Sequence, residues 1–89
     1  MGRQANRAAV KKEQHLGADR WIVTLPGFWL RLRRQALDDE KWHYEAGGRT
    51  LNRVEMEMVA ARVAGVTGHR HDDAHETLRK MRLGDGDCD

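Results

Sequence analysis

The densest group of side chains able to do chemistry is the run His69-Arg70-His71-Asp72-Asp73-Ala74-His75. Histidines four apart on a helix, as His71 and His75 would be, share a face and can share a metal ion, with neighbouring carboxylates completing the ligand set. The same run also reads as a polar turn leading into a capped helix, because Asp73 followed by Glu76 has the spacing of a capping box. A chain of 89 residues offers little else to complete a metal site, so the reading adopted is the turn, with no metal and no cofactor. No nucleophile–base pair, glycine-rich phosphate loop or cysteine-rich zinc spacing occurs elsewhere, which points away from an enzyme.

The second group is basic. Arg3, Arg7, Lys11 and Lys12 all precede the first acid, Glu13, and such an arm neutralises phosphates by releasing counterions. Thr67, His69 and Arg70 are polar and placed to meet base edges, and Arg79 adds a further cation. The net charge of +2 includes an acidic end, Asp85, Asp87 and Asp89; without those three acids the rest carries +5. Of the three tryptophans, Trp29 and Trp42 are the candidates for a protein-contact surface if the partner is a protein rather than DNA.

Composition bounds what can hold these groups. A hydrophobic share of 39% with 34% charged residues suits one small globular domain with a charged surface. No apolar run is long enough to span a bilayer. The single cysteine, Cys88, can form no intrachain disulfide, which is compatible with a reducing cytoplasm.

In chain order, residues 1–16 read as a basic, loosely ordered arm with helix-forming residues but little apolar area to hold a helix down. Trp21-Ile22-Val23-Thr24-Leu25 is β-branched and aromatic and prefers an extended form. It pairs across a dimer, or is a linker pinned by Trp21, or is absorbed into a helix. Pro26 fits the first turn of a helix running to about Ala46, with Phe28, Leu32, Ala36, Trp29, Leu37 and Leu30 on one broad side. Arg34 with Asp38, and Lys41 with Glu45, have the spacing of exposed ion pairs on that helix. A further helix starts at Thr50 and ends at Gly65. Its two apolar faces, Leu51, Val54, Met58 and Ala61 against Met56, Val59 and Val63, make it the sandwiched central element. The last helix begins near Asp73 and stops at Gly84, leaving an acidic tail over 85–89 expected to be disordered. Leu32, Met58 and Leu78 are the expected core contacts.

Within this arrangement Ala60-Ala61-Arg62-Val63-Ala64-Gly65-Val66-Thr67 resembles the middle of a bacterial helix-turn-helix, with small residues late in one helix, then Gly, an aliphatic residue and a hydroxyl. The resemblance covers residues 50–83 and implies a recognition helix ending at Leu83. Trp21-Ile22-Val23-Thr24-Leu25-Pro26 is also similar to the strand of ribbon-helix-helix repressors, which ends in Leu-Pro before an amphipathic helix. That likeness implies that Trp21, Val23 and Leu25 face the core while Arg20, Ile22 and Thr24 face the major groove. The histidine run resembles the H-x-H-x-D-H motif of metallo-β-lactamase-like hydrolases, with Ala74 displacing the last histidine.

The sequence thus predicts a mainly α fold: a three- to four-helix domain over 1–84, a helix-turn-helix-like C-terminal half and a short extended segment near 21–25. The expected function is double-stranded DNA binding by a small bacterial or mobile-element regulator or accessory factor, cytoplasmic and possibly dimeric. The alternative is a host-protein inhibitor or assembly factor that contacts its partner through Trp29 and Trp42.

Overall fold

Pro26-Gly27 decides the topology. Two apolar and β-branched runs, Trp21–Leu25 and Phe28–Leu32, flank these residues. Proline presets φ at the first turn position, and Gly27 takes φ 76° at the second, a left-handed value that glycine adopts without strain. Leu25 and Phe28 pair directly across the turn, so the chain folds back on itself as a two-residue hairpin.

The computed structural model describes residues 8–13, 18–35 and 41–84. Strands β1 (Ala9–Glu13), β2 (Ala18–Leu25), β3 (Phe28–Gln35) and β4 (His43–Gly48) form one antiparallel sheet in the order β1-β2-β3-β4. Helices α1 (Arg53–Thr67) and α2 (His71–Lys80) follow. The fold is therefore mixed α/β, and the expectation of a mainly helical domain is overturned.

Each correction has a local cause. The helix predicted from Pro26 to Ala46 is replaced by β3 and β4. Phe28, Leu30 and Leu32 are buried and alternate with Trp29, Arg31 and Arg33, a period of two. A helical wheel also gathers these apolar residues on one broad side, so over eight residues the wheel does not discriminate. Segment 21–25 lies within β2, which pairs inside the chain with β1 on one side and β3 on the other. The N-terminal arm gives way, over Ala9–Glu13, to β1. Arg3, Arg7 and the 85–89 tail lie outside the described residues, as does Asp38. The expected Arg34–Asp38 pair therefore falls outside the described residues; across the strands Arg34 lies 2.9 Å from Asp19 and Arg31 lies 3.8 Å from Glu45.

One face of the sheet carries Val23, Leu25, Phe28, Leu30 and Leu32, all buried beneath the helices. The buried stripe of α1 is Met56, Val59, Ala60 and Val63; that of α2 is Ala74 and Leu78. Helix α1 is not apolar on two sides, since Val54 is 67% exposed, Ala61 is exposed and Met58 only half-buried. The expected core residues Leu32 and Leu78 are buried, although Leu32 comes from a strand. After α2 the chain returns to the start of α1, where the Leu51 amide donates to the Leu83 carbonyl at 2.8 Å. Among the described residues no helix is long and apolar enough to cross a membrane.

Helix boundaries move by a few residues. Asn52, not Thr50, caps α1: its side chain accepts from the Glu55 amide at 2.8 Å while the Glu55 carboxylate accepts from the Asn52 amide at 3.0 Å. The helix runs through Gly65 and ends at Gly68, whose φ of 81° gives the left-handed cap. Helix α2 starts at His71, and Asp73 lies in its first turn without capping it.

Arg49 ties this cap to the hairpin. Its amide donates to the Gly27 carbonyl at 2.9 Å, its Nε to the Pro26 carbonyl at 2.7 Å, and its fork grips Glu55 at 2.9 and 2.7 Å. That fork, helped by the Asn52 amide, holds the Glu55 carboxyl at about 2, well below its ordinary 4.5. A depressed native pKa stabilises the fold fully above the unfolded value and loses that effect as pH falls through the native one. Asn52→Ala removes the side-chain acceptor of the Glu55 amide and should cost about 1 kcal/mol as a lost cap. Glu55→Gln should melt below wild type near neutral pH, and the gap should close as pH falls from 4.5 towards 2. Melts of both proteins across that range check this; curves that stay equally separated would contradict it.

Candidate functional site

Among the described residues, no helix covers the other face of the sheet. Strand alternation places Ala9, Lys11 and Glu13 there from β1, Arg20, Ile22 and Thr24 from β2, Trp29, Arg31 and Arg33 from β3, and His43, Glu45 and Gly47 from β4. None of these twelve positions is buried. Three rows cross the face: Glu13–Arg20–Arg33–His43, Lys11–Ile22–Arg31–Glu45, and Ala9–Thr24–Trp29–Gly47.

Arg31 organises the centre. Its Nε donates to Glu13 at 3.3 Å, reaching over β2, and its guanidinium lies 3.8 Å from Glu45 on β4. Its carbon end also sits 5.4 Å from the Trp29 ring centroid, a cation–π contact. Trp29 lies flat on Gly47, where a Cβ would come within 2.7 Å of the indole, so a side chain there would displace the ring. Among the described residues, one arginine thus engages both carboxylates of the face. Arg20 and Arg33 stand directly opposite each other, and neither has a carboxylate at ion-pair distance among the described residues. These two line an open hollow of about 420 Å³ with Arg31, His43, Tyr44 and Glu45. Burial pushes the Tyr44 phenol up from its ordinary value, so it stays neutral.

The residues predicted to contact DNA are scattered by this fold. Lys11 is on the open face, but Lys12, one residue on, points to the helix side, where its ammonium lies 5.6 Å from the Trp21 ring. The Thr67 hydroxyl donates to the Val63 carbonyl at 2.9 Å and accepts from the His69 amide at 3.2 Å, so it serves the end of α1. His69 and Arg70 are exposed in the turn between the helices, and Arg79 lies on α2 beside Glu76 at 3.6 Å. Gly65, expected at the turn, is inside α1. The start of α2 exposes Asp72 and Asp73. The rings of His71 and His75 both turn to Glu57, at 2.9 and 3.3 Å. Among the described residues no group of three or more His, Cys, Asp or Glu side chains could hold a metal.

The tryptophans are likewise separated. Trp29 is on the open face, whereas Trp42 packs against the core side beneath Arg34, whose guanidinium lies 4.8 Å from the ring. The two form no common patch. Arg31, Arg33 and His43 were missed as site residues because β3 and β4 were read as helix. The alternation of Arg31 and Arg33 with Phe28, Leu30 and Leu32 is the signal that carries them. The chain matches no protein-family model, no curated protein and no solved structure, so its site is defined by its geometry alone.

Proposed function

We propose that this protein binds double-stranded DNA with the open face of its sheet, the β2–β3 ribbon entering the major groove. The observation that carries this reading is the convergence of Lys11, Arg20, Arg31 and Arg33 on a face that neither described helix covers and whose described carboxylates, Glu13 and Glu45, both lie against Arg31. A B-form major groove admits a two-stranded ribbon, and the outer strands would then reach the sugar–phosphate walls. Ile22 and Thr24 supply an apolar and a hydroxyl contact for base edges. Two features favour duplex DNA over other nucleic acids. Trp29 packs on Gly47 and has the Arg31 guanidinium 5.4 Å from its ring centroid, so it is engaged within the face rather than standing free as the stacking platform that single strands use. The deep, narrow major groove of double-stranded RNA would exclude the ribbon.

The sheet is favoured over the helix pair on charge. A recognition helix presents its N-terminal residues to DNA, and α2 would present Asp72 and Asp73. Fluorescence titration of random duplex DNA tests the proposal. With three or four phosphates neutralised, affinity should fall roughly 40- to 150-fold between 50 and 200 mM salt. Lys11→Gln should flatten that slope, while Arg70→Ala with Arg79→Ala should leave it unchanged. No binding at low salt, or binding lost only in the helix variant, would refute the sheet as the DNA surface.

A further inference from the structure

We propose that the hollow between Arg20 and Arg33 is a seat for one phosphate group, which fixes where the sheet sits along its ligand. The seat as an oxyanion site stands on its own geometry; that its occupant is a DNA backbone phosphate rests on the reading above.

Arg20 and Arg33 are direct cross-strand partners on the open face. Like charges so placed repel each other across the ladder, and an anion between them converts the repulsion into attraction. Neither has a carboxylate at ion-pair distance among the described residues. The Arg20 Nε is shielded from solvent and donates to no group. A guanidinium nitrogen so placed has lost water without gaining a partner, and an acceptor arriving from the hollow would supply one. Among the described residues, Glu13 and Glu45 are the carboxylates of this face, and both are drawn to Arg31, at 3.3 and 3.8 Å. Glu45 lines the hollow itself, but its charge, like that of Glu13, is offset by Arg31 rather than by Arg20 or Arg33. The hollow, about 420 Å³, is open to solvent above the sheet and has room for a phosphate with its ester substituents. Two guanidinium groups on cross-strand partners lining one hollow can offer a tetrahedral oxyanion paired N–H donors, which ammonium groups cannot.

The test is a pair of NMR titrations of the full chain, with inorganic phosphate in one arm and duplex DNA in the other, each against chloride at matched ionic strength. The arginine Nε–H resonances are followed. The expected result is that both ligands shift the Arg20 and Arg33 signals saturably, and that phosphate raises the melting temperature. The combined variant Arg20→Lys, Arg33→Lys keeps the charge and the surface position. It should weaken phosphate binding by about tenfold or more while melting near wild type. If phosphate moves these signals and DNA does not bind, the seat stands and its source is a free oxyanion, so the DNA reading fails. If DNA binds without moving them, the seat is refuted and the DNA reading survives. If phosphate binds the lysine variant as well as wild type, the forks do not form the seat.

Discussion

Leu30→Ala is expected to remove a large part of the stability of this domain. Leu30 is fully buried at the middle of β3, between Val23 on β2 and Ala46 on β4, and beneath the buried stripe of α1. Its cross-strand neighbour Ala46 is small and Val23 is stiff at χ1, so neither can swing in to fill the space that truncation leaves. Leucine-to-alanine changes at such sites cost about 3–5 kcal/mol, through lost transfer energy together with the remaining cavity. A domain of this size has on the order of 5–13 kcal/mol in total. Urea unfolding measures the loss. Val54→Ala is the control, since Val54 is 67% exposed and its truncation should stay within about 0.5 kcal/mol of wild type. Equal midpoints for the two variants would remove β3 from the centre of the core.

What could be read from the chain depended on the length of each pattern. The C-terminal half was legible because Met56, Val59, Ala60 and Val63 recur at helical spacing within the fifteen residues of α1 and glycines stand near its end. Even there, two glycines competed: Gly65 lies in α1 with open space beside it, and Gly68 takes the left-handed cap. Sequence spacing alone does not choose between them. The strands are five to eight residues long, too short for the wheel to exclude a helix. The deciding signal was Pro26-Gly27 between two apolar runs, which reads equally as a helix start until the pairing of Leu25 with Phe28 is known.

The candidate site was less legible than the fold. A sheet face is assembled from residues far apart in the chain: Glu13, Arg31 and Glu45 are joined through one guanidinium. Runs such as the N-terminal basic cluster stand out in a sequence, yet alternation sends Lys11 and Lys12 to opposite faces. Facing within β2 was legible all the same. The ribbon-helix-helix resemblance implies that Trp21, Val23 and Leu25 face the core: Val23 and Leu25 are buried and Trp21 is half-buried, while Arg20, Ile22 and Thr24 take the opposite face, and the partner strands come from the same chain.

Gly48→Ala is expected to be as damaging as the core truncation, by a different route. Gly48 ends β4 opposite Phe28 with φ 100°, a conformation that side-chain-bearing residues rarely adopt. A Cβ there would run into the Gly27 carbonyl oxygen and come within 2.9 Å of the Phe28 Cα. Both obstacles are backbone of the hairpin, so no side chain can rotate aside to make room. The turn cannot retreat freely either, because Arg49 holds the Gly27 carbonyl through its amide and the Pro26 carbonyl through its Nε. Relieving the clash would break those bonds and loosen the Arg49–Glu55 grip that anchors the start of α1. Strain and lost contacts together should cost roughly 3–5 kcal/mol. Gly65→Ala provides the contrast: that glycine is in a helix interior with nothing within 4 Å of a new Cβ, and alanine should stabilise by about 0.5–1 kcal/mol. Thermal melts of the two variants should move in opposite directions. A Gly48→Ala protein that melts with wild type would mean that the hairpin can shift away from β4, and that Arg49 does not hold it in place.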